Sequence, residues 1–353
     1  MTHAMMRRYK LFNFGQKLDE VTEPIPTPTG TQVLLRTSAC GVCHSDIHMA
    51  AGYFDLGHGK TMDLSRGIQL PRVLGHEIAG RIVGVGSEAE GVEAGQNVVV
   101  YPWGGCGHCE LCLSDREHLC NHPHVHGMTR DGGFSEYVLV EHPRYLIPFD
   151  PLPAPFAATL ACAGLTAFSA IRKAGTTSDT QPLLIIGAGG VGSAAISLVQ
   201  AMHGVRPVVA DIDQGKRDAA VKAGALVALD PADENERKRV FKQFGGFCAA
   251  IDFVGAAATA SYGLSMLAKG GRLILVGLFG GAIDLALPIL PTRSIGLIGS
   301  YVGSLAEFKE LMQLARDGHL TPTSLETRPL TQAQQSLDDL QAGRIKGRAV
   351  LLP

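Results

Sequence analysis

The chain has 353 residues, 46% hydrophobic and 18% charged, which is enough apolar material for two buried cores and too much for a disordered or fibrous chain. Lys and Arg total 31, Asp and Glu total 33, and the formal net charge is −2. With no basic block in the sequence, the expected partner is a small molecule or another subunit, with no nucleic acid and no membrane.

The opening segment, MTHAMMRRYKLFNFGQKLDE, has no apolar run of secretory length before charges return, which points to the cytoplasm. In that reducing compartment the eight cysteines read as thiols or metal ligands rather than disulfides. Two uncharged runs, 151–171 and 182–202, have the length of a membrane span. Pro151, Pro153 and Pro155 break the first, and GAGGVG interrupts the second. Both read as packed elements of an α/β protein.

Residues 30–145 hold short β-rich runs parted by glycines, such as QVLLRTSA, GRIVGVG and QNVVVYPW. That texture predicts a β-rich domain with irregular loops. Within it stands CGVCHSD at 40–46, two cysteines and a histidine that resemble half a zinc ribbon. The clearest metal signal follows at 105–120, GCGHCELCLSDREHLC. Cys106, Cys109, Cys112 and Cys120 are spaced C-x2-C-x2-C-x7-C, and four thiolates so close in sequence can close a tetrahedron, as a structural zinc needs. An iron–sulfur cluster is the rival; the x7 gap and the lack of a proline after the last cysteine lean against it. His108, His118, His122, His124 and His126 crowd the same loop and read as non-ligands, because the thiolates already fill a coordination sphere.

After Pro148 the texture changes. From about 182, strands and helices alternate: LLIIG, a helix from Gly190, PVVAD, a helix over 213–223, LVALD, CAAIDFV, a helix near 257–268, and RLILVG. Alternation of this kind predicts a doubly wound parallel sheet, an α/β fold. LLIIGAGGVG sets Gly187, Gly189 and Gly192 in GxGxxG register between a strand and a helix, with Gly190 and Val191 inside the turn. Such a turn lets backbone approach a pyrophosphate, which the helix N-terminus attracts. Asp211 ends the next strand, where its carboxylate suits ribose hydroxyls and repels a 2′-phosphate, favouring NAD over NADP. Cys248 begins an apolar strand and reads as a buried small hydrophobe. SLAEFKELMQLARDG opens with Ser304 and Glu307 at capping-box spacing and predicts a helix. A short helix near 331–342 and a last strand, RAVLLP, follow.

A catalytic zinc needs three protein ligands and an open position. Cys43, His76 in GHE and Cys162 could supply them if folding unites them. With GVCHSD at 41–46, GHEIAGRIVGVG at 75–86, the four-cysteine run, ACAG at 161–164, GAGGVG, SYVG at 300–303 and KGRAVL at 346–351, nearly the whole chain resembles the zinc-dependent medium-chain alcohol dehydrogenases. The resemblance implies a β-rich GroES-like catalytic domain over 1–152 and 300–353, with a structural zinc lobe near 104–121, and a Rossmann domain over 153–299. It implies two zinc ions per subunit: a catalytic one on Cys43, His76 and Cys162, and a structural one on the four-cysteine run. It also implies NAD, a homotetramer or homodimer, and reversible oxidation of a primary or secondary alcohol to its aldehyde or ketone.

Carried over residue by residue, Asp46 orients the His76 ring, Glu77 stands near the metal, Ser45 meets the substrate oxygen, and Ser45, a ribose hydroxyl and His48 relay its proton to solvent. His44 and Arg348 fall at pyrophosphate positions, Lys216 near the adenosine ribose, and Cys40 is a packed thiol. A polyol dehydrogenase, a zinc-free reductase of the same superfamily and a non-catalytic nucleotide-binding protein are the alternatives. The interval from Cys43 to His76 is longer than in many members. Its extra loop, YFDLGHGKTMDLSRGIQLP at 53–71, is expected beside the cleft. Trp103, the sole tryptophan, reads equally as pocket wall or core.

Overall fold

A computed structural model describes residues 4–178 and 180–353. One seven-stranded sheet runs Leu146–Pro148, Asn97–Val100, Glu77–Val85, Val33–Gly41, Arg348–Leu352 and Leu325–Pro329, with Tyr137–Val140 also pairing with Val33–Gly41. The C-terminal strand therefore completes a sheet begun by residue 33: Val350 faces Gly41 and Leu351 faces Cys40. Val33, Leu35, Val99, Val100 and Val350 are fully buried there, each β-branched or leucyl side chain contributing about 1.5–3 kcal/mol by leaving water.

A six-stranded parallel sheet runs Val227–Leu229, Val208–Ala210, Leu184–Ile186, Phe247–Asp252, Leu267–Leu275 and Gly296–Gly299. Val208–Ala210 and Val227–Leu229 lie on one side of Leu184–Ile186 and the three later strands on the other, so ligands are expected at the carboxyl ends beside Leu184–Ile186, where the order reverses. The helices Gly190–His203, Gln214–Lys222, Glu234–Phe244 and Ala257–Met266 alternate with its strands. Leu305–Arg316 opens on the expected capping box, with Ser304 Oγ accepting from Glu307 N–H at 3.2 Å and Glu307 Oε2 from Ser304 N–H at 2.8 Å.

The prolines near 151 act differently from the sequence expectation. They start an apolar helix instead of breaking one: Ala154–Thr159, a π-helical stretch Leu160–Gly164 and Leu165–Ala174 run on without interruption, with Pro153 as N-cap and Pro155 in the first turn, where a missing N–H costs nothing. Its 21 residues are long and apolar enough to cross a membrane, yet 89% of the apolar window is buried inside the protein. It packs on the first sheet and on the Gly190–His203 helix. Cys248 also departs from expectation. It is only partly buried, 3.3 Å from Gln181 Oε1, because it sits at the start of its strand, where the register with Leu267–Leu275 shifts.

The 53–71 insertion forms a hairpin, Tyr53–Gly57 and Lys60–Asp63. Its tip crosses to the parallel sheet's far loop, where Asp55 carbonyl accepts the Gly281 N–H at 3.4 Å. The Phe54 ring lies 4.9 Å from that of His48. The insertion thus borders the cleft between the two sheets.

Candidate active site

Short local devices place each side chain. Cys43 caps the helix His44–Ala51, and Asp46, three residues on, accepts the Cys43 N–H through Oδ2 at 2.9 Å. The other oxygen of Asp46 is 3.2 Å from His76 Nδ1 and accepts the Gly75 N–H at 3.2 Å. Asp46 is fully buried, so it fixes the ring of His76 and aims Nε2 away from itself. Cys162 comes from the π-helical stretch, whose extra residue per turn re-aims side chains relative to the flanking α-helix.

These devices bring Cys43, His76, Glu77 and Cys162 together, all four buried, with one donor atom of each lying within 4.8 Å of the others. His76 Nε2 and Glu77 Oε2 are buried without a hydrogen-bond partner. Two thiols, an imidazole nitrogen left unpaired and a carboxylate at the margin fit a zinc ion with an open position. Gly41 makes room for this group, since a Cβ there would lie 1.9 Å from Glu77 Oε2. Burial pushes the Glu77 carboxyl up to about 7 against the pull of Arg348, and Arg348 Nη2 donates to Glu77 Oε1 in a buried pair. Ser45 Oγ is 3.7 Å from Cys43 Sγ. His48 is held below its usual imidazole range, first by burial and then by His44.

A second cluster joins Cys106, Cys109, Cys112 and Cys120, with Sγ separations such as 3.5 Å for Cys109–Cys112 and 3.7 Å for Cys109–Cys120. The N–H groups of Cys106 and His122 donate to Cys120 Sγ at 3.4 and 3.3 Å. The His108 backbone N–H pulls Cys106 down to about 6, while burial pushes Cys112 up to about 12. Backbone donors aimed at sulfur favour thiolates, and four converging thiolates fit a closed tetrahedral zinc. Among the described residues, none of the five loop histidines joins either cluster. Cys40 is fully buried, with its thiol packed at Gly75 and Gly133.

The glycine turn is as the sequence predicts. Gly187 takes φ +88°, and a Cβ on Gly192 would lie 1.8 Å from the Gly187 carbonyl. Gly189 caps the Gly190–His203 helix and leaves its first N–H groups free for an anion. Arg348 Cδ approaches within 2.3 Å of where a Gly190 Cβ would stand, so one guanidinium touches both Glu77 and the turn. Protein around the His44 ring holds its pKa down although one side is exposed, and the charges of Arg348 and Lys216 push the same way. Asp211 is buried beside the turn; its oxygens accept the N–H groups of Ala188 and Asp213 at 2.8 and 2.9 Å, leaving a lone pair on each.

Comparison with known proteins decides the family. Residues 29–151 match the alcohol dehydrogenase GroES-like domain, and residues 190–317 match the zinc-binding dehydrogenase family. The chain belongs to the zinc-dependent medium-chain alcohol dehydrogenase family. It is 38% identical to an NAD-dependent alcohol dehydrogenase of Sulfurisphaera tokodaii, over 99% of this chain and 100% of that one. It is 37% identical, with the same coverage, to an NAD-dependent alcohol dehydrogenase of Saccharolobus solfataricus. The alcohol dehydrogenase of Aeropyrum pernix superposes with a TM-score of 0.87 at 30% identity, covering 98% of this chain and 100% of that one.

Sequence reading left Trp103 open between pocket wall and core, and missed Tyr301. Trp103 stands with its ring 5.3 Å from His76 and its Nε1 donating to the Ala161 carbonyl at 3.2 Å. Tyr301 meets Trp103 edge-on at 5.9 Å. The only signal for Tyr301 was its place in SYVG, and no periodicity ties it to residue 103.

Proposed function

We propose that this protein is an NAD-dependent, zinc-containing alcohol dehydrogenase, which interconverts a primary or secondary alcohol and its aldehyde or ketone. The observation that carries this reading is the convergence of Cys43, His76 and Cys162 beside the cleft, onto which the glycine turn opens through Arg348. A zinc ion on those three residues supplies Lewis-acid activation of the substrate oxygen.

The chain's own groups do the rest. Asp46 holds the His76 tautomer, since Nδ1 donates to its carboxylate. Ser45 Oγ, next to Cys43, takes the hydroxyl proton, and His48 at the cleft rim hands it to solvent. Trp103, Tyr301 and Phe54 keep water from the reacting carbon. Glu77 pairs with Arg348, and Arg348 and Lys216 gather positive charge for a pyrophosphate and its ribose, while His44, kept neutral by its surroundings, offers a ring N–H.

The finer assignments belong to the same reading: two zinc ions per subunit, one in each cysteine cluster, and division into 1–152 with 300–353 against 153–299. The setting is cytoplasmic, supported by eight free cysteines. The subunit is a homodimer or homotetramer, supported by the exposed edge strand Gly296–Gly299 with Leu297 and Ile298 open at 38% and 36%.

A spectrophotometric screen for NADH formation over primary, secondary, cyclic and benzylic alcohols, paired with zinc analysis, tests the proposal. Activity with about two zinc ions per subunit is expected; zinc without turnover on any alcohol would leave only a nucleotide-binding protein. Replacement of Asp211 by Gly is expected to raise the ratio of kcat/KM for NADP over NAD by roughly ten- to a hundredfold, because one carboxylate no longer repels a 2′-phosphate. An unchanged ratio removes Asp211 from the ribose site.

A further inference from the structure

The active-site roles so far make no use of Tyr101. Tyr101 follows the Asn97–Val100 strand and is 1% exposed. Its hydroxyl donates to the Gly303 carbonyl at 2.8 Å, joining the β-rich sheet to the loop that leaves the last strand of the parallel sheet. Its ring is gripped on two sides, by Tyr145 at 6.1 Å and Phe308 at 5.9 Å. Tyr145 in turn donates to Glu117 Oε2 at 2.8 Å, and Glu117 is a buried carboxylate inside the four-cysteine lobe.

The loop on the other side of that bond is held in an unusual shape. Val302, a β-branched residue, has φ +37°, a left-handed value that such a residue keeps only where its surroundings impose it. Lys173 Nζ donates to Ser300 Oγ at 2.9 Å, and Glu307 caps Ser304. Between these anchors Tyr301 leaves 46% of its surface open and sets its ring edge-on to Trp103, which packs on His76. The aromatic partner of the exposed ring, Trp103, therefore belongs to the reacting site, while Tyr101 holds the ring's loop at Gly303 from the β-rich sheet.

We propose that Tyr101 is a positioning residue for alcohol oxidation: its hydroxyl pins the 300–303 turn so that Tyr301 stands as a wall of the substrate cleft. This rests on the dehydrogenase reading above. It also gives the four-cysteine lobe a role at the cleft, because Glu117 and Tyr145 hold the Tyr101 ring.

The test is Tyr101→Phe, Tyr301→Ala and the double variant. Phe keeps the ring and its stacking, so the far-UV dichroism of Tyr101→Phe is expected to match wild type. Trp103 is the only tryptophan and reports on Tyr301 directly. Its emission is expected to shift in Tyr101→Phe in the same direction as in Tyr301→Ala. KM for the alcohol is expected to rise about tenfold in Tyr101→Phe with kcat changed far less, the pattern of a lost binding contact. In the Tyr301→Ala background, Tyr101→Phe is expected to change neither emission nor KM, since the hydroxyl acts through the ring that has been removed.

Unchanged Trp103 emission in Tyr101→Phe overturns the proposal, and so do additive effects in the double variant. A wild type that oxidises no alcohol overturns the dehydrogenase reading instead, and the emission measurements alone then decide whether Tyr101 places Tyr301.

Discussion

Cys43→Ser is expected to lose one zinc per subunit and to lower kcat/KM by about three orders of magnitude. Lewis-acid stabilisation is worth several kcal/mol, and about 1.4 kcal/mol is a factor of ten in rate. A serine hydroxyl is not deprotonated at neutral pH and cannot replace a thiolate toward zinc. The ligands that remain, His76 and Cys162, then share the space with Glu77, so any residual metal is held loosely. Cys40→Ser is the matched control, three residues earlier and also buried. Its sulfur touches Gly75 and Gly133 and is in neither metal cluster. It should keep both zinc ions and its activity, and lose about 1–3 kcal/mol of stability from burying a hydroxyl in place of a thiol. Zinc by emission spectrometry and NADH by absorbance distinguish the two. Metal loss in Cys40→Ser with metal retained in Cys43→Ser would mean that the register of GVCHSD is wrong.

The second large effect concerns stability. Cys112→Ser is expected to release the other zinc and lower Tm by roughly 5 °C, with the 105–120 lobe becoming the first site of proteolytic cleavage. The lobe has little else to hold it: its helices are Glu110–Leu113 and Glu117–Leu119, four and three residues long, far too short to persist alone. A metal tying four thiolates is then most of the lobe's ordering energy, and a loss of ~3–5 kcal/mol in a chain of this size gives a shift of that order. Glu117 is the remaining tie, through Arg144 at 3.1 Å and Tyr145, so the lobe should loosen without detaching. Differential scanning calorimetry and limited proteolysis check this. An unchanged Tm with zinc content also unchanged would show that these thiols hold no metal.

How legible the site was depends on how far apart its parts lie in sequence. The four-cysteine run could be read directly, because all its ligands fall on one loop and their spacing alone limits the geometry. The glycine turn and Asp211 were legible for a similar reason: strand, turn, helix and next strand are consecutive, and each constrains the next. Cys43, His76 and Cys162 were different. Their residue types permitted a site, but their meeting depended on the resemblance. No local rule brings a helix N-cap, the residue before a strand and a π-helical turn to one point. The prolines near 151 were misread for a related reason. Proline breaks a helix interior but is tolerated in the first turn, and only the packed structure shows that Pro153 and Pro155 lie at the start.

By itself the sequence determined the class of each sheet, the anion-binding turn, the thiolate lobe and the inventory of ligands, because these follow from periodicity, spacing and side-chain chemistry within short windows. Only the tertiary structure decided which way His76 Nε2 points, that Arg348 bridges Glu77 and the glycine turn, that the 53–71 hairpin reaches Gly281, and that Tyr101 grips the loop bearing Tyr301. Each of these contacts joins residues far apart in the chain. Their pairing is fixed by how two sheets pack across the 154–174 helix, and side-chain pattern along the chain carries no record of that distance.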